Sequence, residues 1–377
     1  MSPLQSRPMR IGVLKETVPG ERRVALVPDS IARLGDGVEL IVETGAGAAA
    51  GFPDSAYEGA GARVAASDAV YAEADVVCKV QNPSHHEIER LRPGSSLVAF
   101  LQPLVNADLI RALAEQGVTS FSMDAIPRIT RAQPMDALSS QATVSGYKAA
   151  LLAATSLGKF FPMLTTAAGT IAPARVLVLG AGVAGLQAIA TARRLGAVVS
   201  GYDVRPVVKE QVESLGASFL ELDVEGAEGV GGYAVALAQD EQERQRELLA
   251  LHIADSDAVI ATALIPGKPA PLLVTEDAVR RMRPGSVVVD LAAEMGGNCA
   301  VTQPDETIEF EGVTVIGETN LPSTLPLHAS QMYSRNLSSF VGLLVRDGEL
   351  VVDFEDEIVR ETCVTHEGRV VKESVAA

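Results

Sequence analysis

The first third of the chain alternates short apolar runs with segments of helical periodicity. Helix-like segments such as DSIARLG and NADLIRALAEQG begin near Asp or Asn and end at Gly, as capped helices do. Strict alternation of strand and helix predicts parallel strands joined by crossover helices. The predicted strands are residues 10–14, 38–43, 75–80, 96–101 and 118–123.

A long helix is predicted over residues 139–161, where apolar residues recur three and four positions apart. We expect Ser139 or Ser140 to cap it. A second alternating unit follows a proline-containing linker, and its strands fit a doubly wound sheet. These strands are predicted at residues 176–179, 198–202, 217–221, 257–263, 286–291 and 313–317.

The alternation stops near residue 325, which predicts a discontinuous first domain. The chain is expected to be an α/β protein with two Rossmann-like, doubly wound parallel-sheet domains. Residues 1–138 form the first domain and the C-terminal segment 326–377 completes it, while residues 139–325 form the second. Residues 223–247 are acidic and glycine-rich, then highly charged, and are predicted to be a mobile loop of the second domain.

Composition and charge exclude several classes of protein. The formal net charge of −17 disfavours nucleic acid as a partner. Cys78, Cys299 and Cys363 are far apart, so neither a disulfide framework nor a metal site is predicted. The N-terminus lacks the apolar region of a signal peptide. The uncharged run 176–192 is at the short limit for a membrane span and contains three glycines, so no span is predicted.

The clearest motif is a dinucleotide-binding fingerprint. Gly180, Gly182 and Gly185 form G-x-G-x-x-G between an apolar strand and a helix, and Asp203 ends the next strand. The glycines permit a tight turn, close approach of a pyrophosphate and helix–strand packing. Asp203 suits the ribose hydroxyls and repels a 2′-phosphate, which favours NAD(H) over NADP(H), although Arg205 nearby weakens that inference. The alternative is a glycine turn with a structural role only.

Two other loops resemble ligand loops less closely. Residues 41–52 also place G-A-G after a strand, but Gly51 comes one position too late and no acid follows the next strand. We interpret this segment as a tight turn without a ligand. Residues 261–271 follow a strand at its carboxyl end, where ligands of open α/β sheets bind. Contact with the cofactor is predicted there, and an ordinary loop is the alternative.

The few histidines provide no evident general acid for carbonyl or amine chemistry. None lies in a metal-type pair or near the fingerprint. They are His85, His86, His252, His328 and His366.

The opening RIGVLKETVPGERRVALVPDSIARL resembles the N-terminus shared by alanine dehydrogenase and the NAD(H)-binding component of proton-translocating transhydrogenase. RAQPMDALSSQATVSGYKAA, the segment around the fingerprint and ALIPGKPAPLLVTEDAVRRMRPGSVVVDLAAEMGGNC are similar to transhydrogenase, and the resemblance spans essentially the whole chain. Arg23 and Lys79 stand where alanine dehydrogenase has substrate-binding Arg and Lys, but Gln102 stands where it has its catalytic histidine. Hydride transfer between two nicotinamide rings needs no proton donor, so the resemblance favours transhydrogenase.

The resemblance implies roles for individual residues of this chain. The nicotinamide, its carboxamide and its ribose would be held by Arg128, Gln133, Asp136 and Ser139. The pyrophosphate would meet Gly182, Val183 and Ala184, next to Gly180 and Gly185, and the adenosine ribose would meet Asp203, Val204 and Arg205. Tyr233 would belong to the mobile loop, and Ala263 and Leu264 would pass near the cofactor.

The resemblance also implies a context. The chain would bind NADH and pass a hydride to NADP⁺ held by an NADP(H)-binding partner, with a membrane subunit conducting protons. It would form a homodimer in the cytoplasm, on the inner face of the membrane through its partners. Two alternatives stay open: an alanine-dehydrogenase-like amino acid dehydrogenase, and a non-catalytic NAD(H)-sensing module whose mobile loop reports redox state.

Overall fold

The computed structural model describes residues 7–35, 37–222, 239–265, 267–346 and 348–372. The chain forms two compact units. One unit consists of Met1–Gln141 with Pro322–Ala377, and the other of Ala142–Leu321. Because the first unit uses both ends of the chain, the predicted α/β fold with a discontinuous first domain is confirmed.

Strands and helices alternate through most of the chain. The strands are β1 (Met9–Val13), β2 (Val38–Glu43), β3 (Arg63–Ala65), β4 (Val76–Cys78), β5 (Ser96–Ala99), β6 (Thr119–Ser122), β7 (Leu164–Thr166), β8 (Gly169–Ile171), β9 (Arg175–Leu179), β10 (Val198–Tyr202), β11 (Ser218–Phe219), β12 (Ala258–Ala261), β13 (Val287–Asp290), β14 (Thr307–Phe310), β15 (Val313–Ile316), β16 (Val345–Arg346), β17 (Glu349–Leu350), β18 (Cys363–His366) and β19 (Arg369–Val370). The α-helices are α1 (Asp54–Gly59), α2 (Ser67–Glu73), α3 (His85–Arg90), α4 (Ala107–Glu115), α5 (Ala137–Ser156), α6 (Val183–Arg194), α7 (Lys209–Ser214), α8 (Gln239–Ala254), α9 (Glu276–Arg280), α10 (Pro326–Leu344) and α11 (Glu357–Thr362).

The first unit is built on a sheet with the strand order β19-β18-β6-β5-β4-β1-β2-β3. Strands β1 to β6 pair in parallel, whereas β18 lies antiparallel to β6 and to β19. Neighbouring residues of one strand enter different cores: Val76 and Cys78 belong to one apolar cluster, and Val77 to another. Both faces are therefore covered, which explains why these strands are continuous apolar runs.

The second unit has a sheet of order β11-β10-β9-β12-β13-β15-β14, parallel except for β14. Strand β9 lies between β10 and β12, so the chain leaves β9 on one side and returns on the other. Open α/β sheets bind ligands at such a reversal, at the carboxyl ends of the strands. The fingerprint follows β9 directly and therefore lies at this position.

Several local predictions were wrong. Helix α5 begins at Ala137, because Asp136, rather than Ser139 or Ser140, accepts the Ser139 N–H at 2.9 Å. It ends at Ser156 instead of residue 161, and the predicted linker contains the β7–β8 hairpin. The sequence patterns also missed β3, β14 and α11. Strand β14 is at the edge of its sheet and alternates exposed and half-buried residues, so it has no continuous apolar run.

The charged end of the predicted mobile loop is helical from Gln239 onward. Leu249 and Ile253 are fully buried, and the buried Gln245 side chain donates to the Tyr202 hydroxyl at 2.8 Å, so α8 packs against the second unit along one face. Helical structure does not test the expected mobility, which stays a prediction, and residues 223–238 lie outside the described residues. None of the helices in the described ranges combines the length and apolar character needed to cross a bilayer.

Helices α5 and α6 approach each other with their backbones in contact. A Cβ atom at Gly146 of α5 would lie 2.0 Å from the carbonyl oxygen of Ala184, in the first turn of α6. Only a residue without a side chain fits there. This contact fixes where α5 crosses the start of α6, next to the fingerprint.

A buried charge cluster follows the adjacent strands β1 and β4 of the first unit. The Lys79 ammonium lies 2.6 Å from Glu87 Oε1 and 3.5 Å from Glu16 Oε2, and its side chain is 1% exposed. Burial would lower the pKa of Lys79, but the two carboxylates reverse this and raise it. Burial raises the pKa of Glu16 despite Lys79. It also acts to raise the pKa of Glu87, but Lys79 outweighs it and lowers that pKa.

We predict that Gly146→Ala lowers the free energy of unfolding by about 1–3 kcal/mol, because the backbones of α5 and α6 must separate. Urea unfolding followed by circular dichroism measures the change. Gly342→Ala is the matched control, since a Cβ at this exposed glycine of α10 would meet no described atom within 4 Å. That control should be neutral or stabilising by about 0.5–1 kcal/mol. Equal effects of the two substitutions would contradict the contact.

We predict that Lys79→Met lowers the free energy of unfolding by about 3–5 kcal/mol at neutral pH, because two buried carboxylates lose their cation. In the variant, the folded-state pKa values of Glu16 and Glu87 lie above their unfolded values. The loss should therefore shrink as pH falls and both carboxyls become protonated. Lys209→Met is the control, since Lys209 pairs with Glu221 at the surface, and it should cost less than about 1 kcal/mol. A loss independent of pH would contradict the assignment.

Candidate functional site

Glycine occupies the three fingerprint positions for different structural reasons. Gly180 has a φ of +93°, and a Cβ there would lie 2.7 Å from Thr262 Oγ1. A Cβ at Gly185 would lie 1.9 Å from the carbonyl oxygen of Gly180. Gly182 has an ordinary φ of −75°, and its Cβ would meet nothing within 4 Å among the described residues. The fold requires Gly180 and Gly185, whereas Gly182 leaves open space beside the backbone.

The start of α6 presents uncapped backbone N–H groups. Gly182 is the N-cap residue and contributes no side-chain hydrogen bond, and Val183 is 38% exposed. The first N–H groups of a helix have no partner within the helix. Together with the helix dipole, they form an anion site suited to a phosphate group.

Asp203, at the end of β10, lies beside this turn and is already paired. Its Oδ2 accepts the Ala181 N–H at 2.7 Å, which links the carboxylate to the fingerprint turn. The Arg205 guanidinium donates to Oδ1 at 2.9 Å and to Oδ2 at 2.8 Å. The two side chains are only 6% and 13% exposed. A ribose bound here would share Asp203 with Arg205, and the partly buried Val204 packs against the apolar core of the second unit.

Sequence reasoning missed Asn298, which fixes the loop after β12. Its side chain is fully buried, accepts the Ala263 N–H at 2.9 Å and donates to the Ala263 carbonyl at 2.9 Å. A second bond to the Pro271 carbonyl, at 2.8 Å, spans the loop. Leu264 is 46% exposed beside this clamp. The sequence signal was a polar residue directly after two glycines in an otherwise apolar strand–loop unit.

Asp290, at the end of β13, supports the same edge of the sheet. Its carboxylate accepts the N–H groups of Ala292 and Cys299 and the hydroxyl of Thr302, all within 2.9 Å. Burial raises the pKa of Asp290 against these hydrogen bonds. All these hydrogen bonds go to residues within twelve positions of Asp290 in the chain. We therefore assign Asp290 a role in holding the loop after β13 rather than in chemistry.

In the first unit, Gln133 lies on a short 3-10 helix, Thr130–Met135. Ala132 and Met135 are buried in the apolar core, so the helix is anchored from one side. Gln133 is exposed, and its side chain makes no hydrogen bond with any residue in the described ranges. An amide with open donor and acceptor groups is therefore presented on a fixed backbone.

Asp136 and Ser139 form one hydrogen-bonded unit at the start of α5. The Ser139 hydroxyl donates to Asp136 Oδ2 at 2.6 Å, and the Ser139 N–H donates to Oδ1 at 2.9 Å. Both Ser139 donors are therefore used within this unit. Arg128 is exposed shortly before the 3-10 helix. The first unit thus gathers the four residues predicted for the nicotinamide around one segment.

The positions that alanine dehydrogenase uses for its substrate are changed or occupied. Arg23 is buried in a two-bond pair with Glu21, at 2.9 and 2.6 Å, and also donates to Gln141 at 2.9 Å. Lys79 is buried against Glu87, as described above. Gln102 is exposed and has a left-handed φ of +48°. Neither cation therefore faces solvent as a ready carboxylate-binding group.

Other predicted positions have simpler outcomes. Gly47 in the segment 41–52 has a packing reason, since a Cβ there would lie 2.6 Å from the Tyr57 hydroxyl. Tyr233 and Pro266 lie outside the described residues. Within the described ranges, no group of three or more His, Cys, Asp or Glu could hold a metal ion.

The second unit therefore brings the fingerprint, Asp203 and the loop at Ala263 to the carboxyl ends of β9, β10 and β12. These groups can bind a phosphate-linked nucleotide through backbone N–H groups and one carboxylate. The first unit presents an amide, a hydroxyl–carboxylate pair and an arginine. Such groups can orient a planar amide ligand, but they offer no strong acid or base.

Comparisons with known proteins match almost the whole chain. The N-terminal domain of the alanine dehydrogenase/PNT family matches residues 12–145, and its C-terminal domain matches residues 149–373. An NAD(P) transhydrogenase alpha subunit of Rhodospirillum rubrum is 46% identical over 375 residues, covering 96% of this chain and 98% of that protein. The alanine dehydrogenase of Bacillus subtilis is 29% identical over 379 residues, covering 98% of this chain and 94% of that protein.

A solved structure agrees with the sequence matches. The crystal structure of transhydrogenase from Sinorhizobium meliloti has a TM-score of 0.85 and 44% identity, covering 97% of this chain and 99% of that chain. The described fold is therefore that of the family in both units. The chain belongs to the alanine dehydrogenase/PNT family, and it is more similar to the transhydrogenase alpha subunits in these comparisons than to the alanine dehydrogenase.

Proposed function

We propose that this chain is the NAD(H)-binding subunit of a proton-translocating NAD(P)⁺ transhydrogenase. The second unit binds NAD(H) through the fingerprint turn. The uncapped N–H groups at Val183 and Ala184 meet the pyrophosphate, and Gly182 leaves room for it. Asp203, Val204 and Arg205 meet the adenosine ribose, and Ala263 and Leu264 border the cofactor. Tyr233 contributes from the segment that precedes α8.

We assign the nicotinamide half of NAD(H) to Arg128, Gln133, Asp136 and Ser139. The carboxamide of the nicotinamide has both a donor and an acceptor, which match the acceptor and donor groups of the exposed Gln133 amide. NADH supplies the hydride, and these side chains orient the ring that carries it. The task of these side chains is positioning. Positioning alone can lower the activation barrier by several kcal/mol, about 7–11 kcal/mol at most.

The exposed amide of Gln133, unpaired among the described residues and carried on an anchored segment, is the observation that supports this proposal most. An amide meant only for stability would be packed or paired, as those of Gln141 and Asn298 are. A group that presents the nicotinamide of NADH to a second nucleotide, held by another protein, must reach the surface. Gln133 fulfils that requirement without adding an acid or base.

The alanine dehydrogenase alternative is disfavoured by three residues. Oxidation of an amine or reduction of a keto acid moves a proton together with the hydride, so an acid–base group is needed. Gln102 cannot serve as one. Arg23 and Lys79, in turn, direct their charge to buried carboxylates. Transhydrogenation needs neither an acid–base group nor a cation that binds a substrate carboxylate.

The proposal includes partners and a location. The hydride goes to NADP⁺ on an NADP(H)-binding component, and a membrane subunit couples the transfer to proton movement. The relative from Rhodospirillum rubrum is named as one portion of an alpha subunit, which fits a chain that works with further subunits. We also propose a homodimer that lies at the cytoplasmic face of the membrane through these partners.

Mixing experiments test the function directly. The chain is combined with a purified NADP(H)-binding component, NADPH and an acetylpyridine analogue of NAD⁺, whose reduced form absorbs apart from NADPH. We expect reduction of the analogue only when both proteins are present. In parallel, the chain alone receives NAD⁺ and alanine. Alanine-dependent NADH formation, or the absence of exchange with both proteins present, would refute the proposal.

We predict that Gly182→Ala weakens NADH binding at least about tenfold, which corresponds to about 1.4 kcal/mol, because a Cβ would occupy the space of the pyrophosphate. Its free energy of unfolding should change by less than about 1 kcal/mol, since the Cβ meets no described protein atom within 4 Å. Fluorescence titration with NADH and urea unfolding measure the two effects. A loss of stability without a loss of affinity would remove the pyrophosphate from this position.

We predict that Gln133→Asn slows hydride exchange at least about tenfold but changes NADH affinity less than about twofold, because the shorter side chain misplaces the amide. Single-turnover exchange and NADH titration measure the two quantities. Gln211→Asn is the matched control, because Gln211 is likewise exposed and lies on α7 of the second unit. If affinity and rate fell together for Gln133→Asn, this residue would be a binding rather than a positioning group.

A further inference from the structure

The Gln133 segment, residues 130–136, is fixed by contacts on both sides of Gln133. On the C-terminal side, the Asn336 side chain of α10 donates to the Pro134 carbonyl at 2.8 Å. On the N-terminal side, Arg131 donates to Asp356 through both terminal nitrogens, at 2.8 and 2.6 Å. The bond to Asp356 joins this segment to a residue more than two hundred positions away in the chain.

The Arg131–Asp356 pair is geometrically specific. A guanidinium that donates two parallel hydrogen bonds to one carboxylate fixes orientation as well as distance. Asp356 is itself oriented, because its Oδ1 accepts the Ile358 N–H at 2.9 Å and caps α11. The Arg131 hydrogen bond is the main cause that lowers the pKa of Asp356 to about 2. The carboxylate is therefore charged throughout the neutral range.

Helix α11 is a firm anchor for this pair. Ile358 and Val359 are buried in the main apolar core of the first unit. The chain then enters β18, which pairs with β6 in the sheet. Since Arg131 is bonded to the cap of α11, the backbone two residues before Gln133 is tied to the sheet through the C-terminal segment.

We propose that Arg131 and Asp356 are positioning residues for hydride transfer, acting through the backbone that presents the Gln133 amide. This inference rests on the proposed function, because it concerns the same site. The NADH-binding groups assigned above to the fingerprint do not depend on the pair. Loss of the pair therefore lowers the rate of hydride exchange and leaves NADH affinity unchanged.

The variants are chosen to remove the ion pair and little else. Asp356→Asn keeps a side-chain oxygen that can cap α11, so the helix keeps its N-terminal bond. Arg131→Gln keeps a polar side chain at an exposed position. Arg111→Gln is the matched control, since Arg111 pairs with a single carboxylate, Asp108, and is 59% exposed against 53% for Arg131.

The first readout is hydride exchange with the NADP(H)-binding component, measured beside NADH affinity. We expect each single variant to exchange about tenfold more slowly, and the double variant to be no slower than the singles within about twofold. NADH affinity should change less than about twofold. In the Gln133→Asn background, Arg131→Gln should have no further effect. Additive losses, an unchanged rate or an equal loss of affinity would overturn the proposal.

The second readout does not need activity. Hydrogen–deuterium exchange of the peptide that contains residues 130–136 reports the N–H groups of Ala132 and Asp136, which bond to Ile129 and Gln133. We expect faster exchange of this peptide in Arg131→Gln and Asp356→Asn, but not in Arg111→Gln. If the wild-type proteins exchanged no hydride, the proposed function would fail. Hydrogen–deuterium exchange alone would then test whether the Arg131–Asp356 pair holds the Gln133 segment in position. Unchanged protection in both variants would then overturn the positioning role.

Discussion

The second unit depends on the close approach of three pieces of backbone around the turn after β9. Gly185 lies against the Gly180 carbonyl, and Gly146 of α5 lies against the Ala184 carbonyl. No side chain fits at either contact, so the turn, the start of α6 and the crossing point of α5 are fixed together. Thr262 adds a third restraint by donating to the carbonyls of Leu179 and Gly180. The uncapped N–H groups of α6 are consequently held in place before any ligand arrives.

The sequence predicted those elements of the fold whose signals are local and repeated. Strand β9 is an apolar run with a glycine turn after it, β10 follows the glycine that ends the preceding helical segment, and both were found where expected. Strand β3 is only three half-buried residues, and α8 hides its buried face among charged residues, so neither has a clear pattern. The start of α5 was misplaced because the helix begins at Ala137, ahead of the serines, and the Asp136 carboxylate rather than a serine hydroxyl accepts an N–H of its first turn.

The candidate site could be predicted in part, again because some of its signals are local in the sequence. The fingerprint and Asp203 lie within one short stretch, and the polar segment at Gln133 was recognisable by its resemblance to a family. Three contacts of the site could not be predicted from the sequence. They are the pairing of Asp203 with Arg205, the hydrogen bonds of Asn298 to Ala263 and the bond from Arg131 to Asp356. Each depends on how side chains orient or on residues far apart in the chain. These contacts decide which polar groups are occupied and which, like Gln133, are open.

In the proposed function, this protein orients NADH for direct transfer of a hydride and contributes no proton. Isotope tracing can distinguish direct transfer from exchange with solvent, with NADH deuterated at the transferred position, NADP⁺, the NADP(H)-binding component and mass spectrometry of the NADPH. For direct transfer, we expect the deuterium to appear in NADPH undiluted, and unlabelled NADH in heavy water to yield unlabelled NADPH. Deuterium from the solvent in the transferred position would contradict it.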